Sequence, residues 1–420
     1  MTFDRRQTLL MIPAAMTVGC ATSSGPLPLS PKARLEALID APSGQRAPAA
    51  GFVLLQGGDV IATEAVGSAS GLSASELADG FGASPFTIET PFRAASISKM
   101  AVALVCNHLV GAGQLDLDID IRSLGISLPS GPGIDGAVLT PRALLAHVSG
   151  LKDPDAYWQA HPGTLQQLLK ANAPNASSET DNWFHYCNLN YGILATALED
   201  VSGRRFDQLI DEHVAGPLGL DAGFNWSNVS QEKRQMAAAL YREDETGWQI
   251  QIDGPASRNS SAPSILMQTG AEHIPYTPGQ NGALFSPQGG LRANLLDLVK
   301  LVEAAAREPI LTEPVWQANS DLSNGDTDGG YYTAFGSGVQ LYNETNSFWP
   351  GVALAGHHGE AYGLYAGAWH APSLQLSFAY AVTGTPQMGP RSADHPALNG
   401  FTAPLMHAVR DAYAASAAAI

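Results

Sequence analysis

The sequence is poor in positive charge and in cysteine. Its 420 residues include 22 lysines and arginines against 39 aspartates and glutamates, so the formal net charge is −17. Nucleic-acid binding depends on lysine and arginine patches that contact phosphates, and this charge balance argues against it. Three cysteines do not make a disulfide framework. We expect Cys106 and Cys187 to be lone buried thiols, although the sequence leaves a pairing between them open.

Residues 1–29 are predicted to be an export signal and a linker. Arg5 and Arg6 precede the apolar run "TLLMIPAAMTVG", which is too short to span a bilayer and has the form of an export signal. The paired arginines resemble a twin-arginine signal, and Cys20 lies where a lipoprotein carries its lipid. A cleaved signal and a lipid anchor at Cys20 both remain open. We therefore expect an exported, periplasmic protein, either free or anchored to a membrane as a lipoprotein.

Strands are predicted at both ends of the remaining chain, and helices in its middle. "GFVLLQGGDVIATEAVG" predicts two strands joined at Gly57-Gly58, and "GLYAGAWHA" and "LQLSFAYAVTG" predict strands near the other end. Helices are predicted in "SPKARLEALID", "SISKMAVALVCNHL", "LTPRALLAHVSG", "NLNYGILATALEDVSG", "LRANLLDLVKLVEAAA" and "FTAPLMHAVRDAYAASAA".

The economical arrangement of these elements is one domain over residues 30–420, of the α/β (α+β) class. Both chain ends would contribute to one sheet, from about residues 45–95 and 285–420, covered by the first and last helices. A mainly helical part, about residues 100–285, would be inserted. Residues 243–290 are polar and poorly periodic, which is typical of a pocket-lining loop. We expect Trp248, His273 and Tyr276 to shape an acyl pocket; an ordinary surface excursion is the alternative.

A serine followed three residues later by lysine is a pattern of nucleophilic catalysis, and it occurs three times. The pairs are Ser96 with Lys99, Ser149 with Lys152, and Ser230 with Lys233. Only Ser96 opens an apolar helix, where its backbone N–H would be an unsatisfied donor suited to an oxyanion. Lys99 is protonated at its usual pKa, so burial or a second base must help it to activate the serine.

Tyr186 and Asn188 are the candidates for that help. A tyrosine between cations can act as a base, because positive neighbours favour its phenolate. The amide of Asn188 can bond both the lysine and a substrate carbonyl. A core tyrosine beside a capping asparagine is the structural alternative.

A third candidate motif is His357-His358-Gly359, which opens an aromatic strand. The glycine would let a substrate backbone lie close to the strand, and the N–H of Glu360 would be a second oxyanion donor. Adjacent histidines also suggest zinc. However, no third ligand follows at metal-site spacing, and successive strand residues point to opposite faces.

"SISK", "YCN" and "HHG", in this order, resemble the motifs of the serine β-lactamase and penicillin-binding-protein superfamily. The most similar branch is the class C β-lactamase-like group, which includes D-alanyl-D-alanine carboxypeptidases and esterases. "VLTPRALLAHVSGL", "GAGQLDLDIDI", "FHYCNLNYGILATALEDVSG" and "SPQGGLRANLLDLVKL" are similar to family segments at corresponding places. The resemblance covers nearly all of residues 30–415.

This resemblance implies a β-lactamase/transpeptidase-like fold with an antiparallel five-stranded sheet. Ser96 would be the nucleophile, Lys99 the amine beside it and Tyr186 the general base, with Asn188 orienting the substrate. The enzyme would cleave an ester or amide of a small molecule or peptidoglycan-like substrate through an acyl-enzyme. It would need no metal or organic cofactor.

Two residues depart from the family pattern. Cys187 replaces serine between Tyr186 and Asn188, and His357 stands where true class C β-lactamases have lysine. A lysine ammonium helps to hold a substrate carboxylate, whereas histidine is mostly neutral at pH 7. We therefore expect an esterase-like or peptidase-like hydrolase with weak β-lactamase activity. The alternative is a penicillin-binding sensor or cell-wall binding module that acylates without turnover.

Overall fold

The computed structural model describes residues 29–124, 130, 135, 137–159, 162–171, 175–176, 182–224, 226–254, 276–386 and 391–418. The predicted export signal, with Cys20, lies outside the described residues. Among the helices of the described ranges, none combines the length and the apolar character needed to cross a membrane.

The largest element is a nine-stranded antiparallel sheet built from both ends of the chain, as expected. The strands along the chain are β1 Ala49–Gln56, β2 Asp59–Ser70, β3 Ser84–Pro85, β4 Phe92–Arg93, β5 Leu151–Lys152, β6 Asn175–Ala176, β7 Gly223–Phe224, β8 Leu240–Asp244, β9 Gly247–Ile252, β10 Leu291–Ala293, β11 Trp316–Gln317, β12 Ala334–Phe335, β13 Gln340–Tyr342, β14 Leu354–Ala361, β15 Leu364–Ala371 and β16 Leu376–Thr383. The order in the large sheet is β11-β12-β13-β14-β15-β16-β1-β2-β3, so its five long strands lie side by side. Three smaller sheets pair β4-β10-β7, β5-β6 and β8-β9.

Helices cover both faces of the large sheet. Along the described residues the helices are α1 Pro31–Ile39, α2 Ala74–Ala78, α3 Ser98–Gly111, α4 Pro141–Leu145, α5 Leu165–Ala171, α6 Leu189–Ser202, α7 Phe206–Ile210, α8 Gly216–Leu218, α9 Gln231–Met236, α10 Leu295–Ala306, α11 Pro309–Thr312 and α12 Thr402–Ala417. Alternate residues of β1 enter two separate cores, because successive strand side chains point to opposite faces. Phe52 and Leu54 pack with α1 and α12, whereas Val53 packs with α3 and α10.

Local sequence signals explain several of these bounds. The β1–β2 hairpin turns at Gly57 and Gly58, whose φ angles are +64° and +93°. Ser30 caps α1 by accepting from the N–H of Ala33 at 3.2 Å. Asn294 and Asp297 form a capping box at the start of α10. These signals set the turn of the hairpin and the first residues of α1 and α10.

Three predicted elements have different bounds. The helix expected from Ser96 begins at Ser98 and follows a 3₁₀ turn over Ala95–Ile97. The helix expected over "LTPRALLAHVSG" ends at Leu145, because His147 has a φ of +60° that no helix accommodates. The first residues of "LRANLLDLVKLVEAAA" form β10 instead of a helix.

The segment 243–290 is only partly the aperiodic loop that the sequence predicts. Its first ten residues belong to the β8–β9 hairpin, and Gly282–Phe285 forms a 3₁₀ turn. Residues 255–275, which include His273, lie outside the described residues.

Candidate active site

Ser96 lies on a tight turn where the sheet meets the helical part of the chain. The 3₁₀ turn Ala95–Ile97 precedes α3, and Ala95 has a φ of +48°. Ser96 is half-buried, whereas the residues on both sides of it are buried. The turn therefore presents the Ser96 hydroxyl to a cleft and holds it from both sides.

Lys99 is fully buried one helical turn from Ser96. Its Nζ lies 3.0 Å from Ser96 Oγ, 3.0 Å from Asn188 Oδ1 and 3.0 Å from the backbone oxygen of Gln288. Burial lowers the pKa of Lys99 from its usual 10.5 to about 7, and the negative charge of Asp153 partly opposes this shift. A substantial fraction of the amine is therefore neutral at neutral pH.

The partners of Lys99 fix the direction of its lone pair. A neutral amine has two N–H donors and one lone pair, whereas the oxygens of Asn188 and Gln288 only accept. Both N–H groups therefore go to these oxygens, and the lone pair faces Ser96 Oγ. The Ser96 hydroxyl can then donate its proton to the amine, which is the arrangement that a general base needs.

Tyr186 lines the same cleft and is hydrogen-bonded to Ser96. Burial raises the pKa of the Tyr186 phenol well above its usual 10, and the bond to Ser96 offsets only part of this. Although Lys99 Nζ lies 4.7 Å from the Tyr186 ring centroid, burial prevails over any stabilisation of the phenolate. This direction favours the neutral phenol over the phenolate that the sequence analysis expects. A neutral phenol can donate or relay a proton, and the assignment of Tyr186 as the general base stays a prediction.

His357 is a neutral imidazole at the opposite wall of the cleft. Burial and the nearby Lys99 lower its pKa to about 3. Its Nδ1 lies 2.6 Å from the backbone oxygen of His358, and its buried Nε2 has no hydrogen-bond partner. The two adjacent histidine rings point to opposite faces of the sheet. The ring centroid of His357 lies 6.2 Å from that of Tyr186, whereas the ring centroid of His358 lies 4.6 Å from that of Trp369. The pair is therefore not arranged to bind one metal ion.

Gly359 serves a different purpose from the one that the sequence suggests. A Cβ at this position would lie 2.6 Å from the backbone oxygen of Ala94 and 3.2 Å from the side chain of Ile97. The glycine therefore lets β14 pack directly against the turn that carries Ser96, and the space beside it is filled by protein rather than by a substrate. The next residue, Glu360, lines the cleft.

The cleft has a volume of about 500 Å³, and Ser96, Tyr186, His357 and Glu360 line it. Lys99 contacts Ser96, Asn188 contacts Lys99, and Gly359 packs against Ala94 and Ile97 on either side of the Ser96 turn. Trp248 and Tyr276 do not line the cleft, so the expectation that they shape an acyl pocket is wrong. Trp248 packs on Arg46, and Tyr276 donates to Glu199 at 2.6 Å.

The cleft wall is instead rich in residues that the sequence analysis did not identify. Besides Tyr186, tyrosine side chains line it from three other segments, namely Tyr157, Tyr331 with Tyr332, and Tyr362. Two ionic side chains at its edge, Arg391 and Asp328, pair with each other. An aromatic wall with paired charges suits an uncharged substrate of small-molecule size.

Asp153 is a site residue that sequence reasoning missed. Its carboxylate accepts from Asn188 Nδ2 at 2.9 Å, from the backbone N–H of Leu189 at 2.8 Å and from the Cys187 thiol at 3.3 Å. Cys187 is a buried free thiol, as is Cys106, which confirms the expectation that the two do not pair. Nothing in the spacing of "GLKDPD" identifies Asp153, because its partners lie more than thirty residues along the chain.

A family model described as Beta-lactamase matches residues 35–400 of the chain. Esterase EstB of Burkholderia gladioli is 27% identical over 291 residues, which cover 62% of this chain and 68% of that protein. The putative fimbrial assembly protein FimD, serogroup D, of Dichelobacter nodosus is 26% identical over 141 residues, which cover 32% of this chain and 36% of FimD. The chain therefore matches about a third of the length of that relative.

The crystal structure of D-amino acid amidase from Ochrobactrum anthropi SV3, complexed with L-phenylalanine amide, has a similar fold. It superposes with a TM-score of 0.61 at 17% identity, over 91% of this chain and 98% of that chain. At this level of identity the likeness concerns the fold, and the chemistry must be argued from the side chains described above.

Proposed function

Because the chain belongs to the β-lactamase family, we propose that it is a serine hydrolase that cleaves an ester or amide through an acyl-enzyme on Ser96. The observation that carries this proposal is the contact between Ser96 Oγ and Lys99 Nζ, at 3.0 Å, with both N–H groups of the neutral amine committed to fixed acceptors. The Lys99 pKa of about 7 makes the neutral amine available at physiological pH.

In the acylation step, Lys99 takes the hydroxyl proton as Ser96 Oγ bonds to the substrate carbonyl carbon. The carbonyl oxygen becomes an oxyanion, which the backbone N–H groups of Ser96 and Glu360 stabilise. When the oxyanion collapses, the bond to the leaving group breaks. The leaving group takes the proton from Lys99, relayed by the neutral phenol of Tyr186.

In the deacylation step, water attacks the acyl carbon and gives a proton to Lys99. The bond between the acyl carbon and Ser96 Oγ then breaks, and Ser96 Oγ takes the proton from Lys99. The free acid leaves, and the enzyme returns to its starting state. One hydrogen of the Asn188 amide nitrogen is used by Asp153. The other is available to orient a substrate carbonyl.

The proposed substrate is an ester or amide that needs no carboxylate for binding. His357 is neutral and Arg391 pairs with Asp328. The other arginine of the cleft wall, Arg242, is balanced by the Glu360 carboxyl group on which its charge acts, so the wall has no excess of positive charge for an anionic group. EstB is named an esterase, and the Ochrobactrum protein a D-amino acid amidase. Both linkages are compatible with this site, and weak hydrolysis of β-lactams is expected because they carry a carboxylate.

We also propose export to the periplasm, either as a free protein after cleavage of the signal or as a lipoprotein anchored at Cys20. This proposal rests on the sequence of residues 1–29 alone. Fractionation of cells that produce the full chain tests it. Recovery of the protein from the cytoplasm would contradict export, and equal membrane recovery of Cys20→Ala would contradict the anchor.

The catalytic proposal is tested by labelling and turnover together. We expect a fluorescent fluorophosphonate to label the protein and p-nitrophenyl esters to be hydrolysed over many turnovers, with both lost in Ser96→Ala. A D-alanyl-D-alanine peptide and a chromogenic cephalosporin, tested in parallel, rank the linkages. Equal labelling of Ser96→Ala would contradict the nucleophile, and release of one product equivalent without turnover would indicate a sensor.

A further inference from the structure

We propose that Asp153 is a positioning residue for catalysis: it orients the Asn188 amide and supplies the negative charge that acts on Lys99. This role rests on the proposed function. Asp153 follows β5 directly, in the loop that leads to the cleft residue Tyr157. It is half-buried beneath the site rather than part of the cleft wall.

The carboxylate of Asp153 accepts from three consecutive residues at the start of α6. These contacts are the Cys187 thiol at 3.3 Å, Asn188 Nδ2 at 2.9 Å and the backbone N–H of Leu189 at 2.8 Å. The side chain of Asn188, which precedes the helix, makes no capping bond of its own. Asp153 therefore caps α6 from another segment and leaves the Asn188 side chain available to the site.

The charge of Asp153 determines which way the Asn188 amide points. An amide can rotate by half a turn and exchange its oxygen and nitrogen with little change in shape. A carboxylate accepts hydrogen bonds and cannot donate them, so the amide nitrogen must face Asp153. The amide oxygen is then held at 3.0 Å from Lys99 Nζ.

This orientation is what directs the Lys99 lone pair to Ser96. If the amide turned over, its N–H groups would face the Lys99 amine, and the amine would lose one of its two acceptors. An N–H of Lys99 could then point towards Ser96 Oγ, and the lone pair elsewhere. Misdirection of a catalytic group on this scale costs about 10- to 100-fold in rate.

Asp153 also provides the negative charge that acts on Lys99. Burial lowers the pKa of Lys99 and Asp153 raises it. The other titratable groups that face Lys99 are neutral at pH 7: Cys187 beside it, Tyr186 and Tyr191 whose rings lie 4.7 and 5.1 Å from Nζ, and the imidazoles of His147 and His357. Removal of the Asp153 charge should therefore lower the pKa of Lys99 further.

The test is the pH profile of kcat/KM for a p-nitrophenyl ester, measured for the full chain and for Asp153→Asn. Two changes in the profile are expected, one in the plateau value of kcat/KM and one in the position of the acid limb. The plateau should fall by about 10- to 100-fold because the amide loses its fixed orientation. The acid limb should move about one pH unit lower because Lys99 loses its neighbouring carboxylate.

Asp155→Asn is the matched control, because Asp155 is an exposed carboxylate two residues along the same loop. It makes the same chemical change and should leave the plateau and the acid limb within twofold of the unchanged protein. A fall in the Asp153→Asn plateau with an unmoved acid limb would overturn the electrostatic role. An unchanged plateau would overturn the orienting role.

A second variant distinguishes the effect of losing the α6 cap from the effect of losing the Asp153 charge. Asp153→Ser is uncharged but retains an oxygen that can cap the Leu189 N–H, and it should show the same shift of the acid limb. If both uncharged variants fail to fold by circular dichroism, Asp153 is only a structural cap and the proposal is wrong.

Failure of this inference is distinguishable from failure of the proposed function. If the unchanged protein is not labelled at Ser96, the hydrolase proposal fails and the profile of Asp153→Asn has no meaning. If the protein is labelled and turns over substrate, but both profiles are the same, only the role of Asp153 is contradicted. A titration of the Lys99 side chain by ¹³C NMR gives the same answer without turnover.

Discussion

Two of the three segments with a serine three residues before a lysine have very different surroundings. Ser96 and Lys99 lie at the junction of sheet and helices, where the amine is fully buried and bonds the hydroxyl. Ser230 and Lys233 lie on the surface, where Ser230 caps α9 and the Lys233 amine pairs with Glu89 at 3.0 Å. The spacing allows a serine and a lysine to meet, but only the buried pair meets.

The two lysines differ in the partners that are within reach of their amines. Lys233 is partly buried at the surface, and its amine reaches the carboxylate of Glu89 rather than Ser230. Lys99 is buried, which lowers its pKa, and its amine has three oxygens of the protein as partners. Burial therefore both lowers the pKa and selects the serine as a partner.

The largest expected difference between the two segments is the loss of kcat/KM when each lysine amine is removed. Lys99→Met is expected to reduce kcat/KM for an ester by about 10³-fold, because it removes the general base while filling the same buried space. Lys233→Met should stay within twofold of the unchanged protein. Steady-state hydrolysis of a p-nitrophenyl ester measures both, and comparable losses in the two variants would mean that the buried amine has no special role.

Removal of the phenol beside the buried pair should have the next largest effect. Tyr186→Phe is expected to lower kcat/KM by about 10²-fold, since the leaving group loses its proton relay. The acid limb of the pH profile should stay in place, because Tyr186 is already neutral. A limb that disappears in Tyr186→Phe would show that tyrosine, rather than Lys99, is the titrating base.

The pH dependence of the unchanged enzyme distinguishes the two lysines without mutation. Lys99 must lose a proton to act, so activity should fall as pH falls through its pKa of about 7. Below that value the fall should approach about tenfold per pH unit, and above it the profile should be level. A lysine with the usual pKa of a solvated amine would place the limb near pH 10.

The smallest expected effect concerns the exposed serine. Ser230→Ala should lower the free energy of unfolding by about 1 kcal/mol, since it removes the cap of α9. Hydrolysis should be unchanged, because α9 does not contribute to the cleft. Thermal or urea unfolding and ester turnover, measured on the same sample, check the two halves of this prediction. A loss of activity without a loss of stability would contradict it.

Particular residues show how much of the site the sequence could predict. Ser96 and Lys99 are three residues apart on an apolar segment, so local spacing and context identify them. The order of the three motifs predicts that Tyr186, Asn188 and His357 belong to one site, because a resemblance to a family carries tertiary information that spacing lacks. The central sheet from both chain ends followed from strand signals at Gly57-Gly58 and in the last hundred residues.

Other features could not be predicted, because they depend on contacts between distant segments. Asp153 contacts Asn188 and Leu189 only because the fold places the start of α6 beside its turn. Gln288 contributes a backbone oxygen, which any residue type could supply. The neutrality of Tyr186 depends on how completely the fold encloses its ring. The tight packing of Gly359 against Ala94 depends on where β14 meets the nucleophile's turn. Each of these is a property of packing rather than of local sequence.

The pairing at the middle of the sheet has a consequence for how the molecule is made. Strands β1 and β16 are neighbours, with Phe52 opposite Tyr380, yet a ribosome delivers the second strand only when synthesis is almost finished. Until then the β1–β2 hairpin offers an open edge, which is a template for aggregation. A premature stop codon that removes β16 and α12 should therefore yield insoluble polypeptide rather than a partly active enzyme.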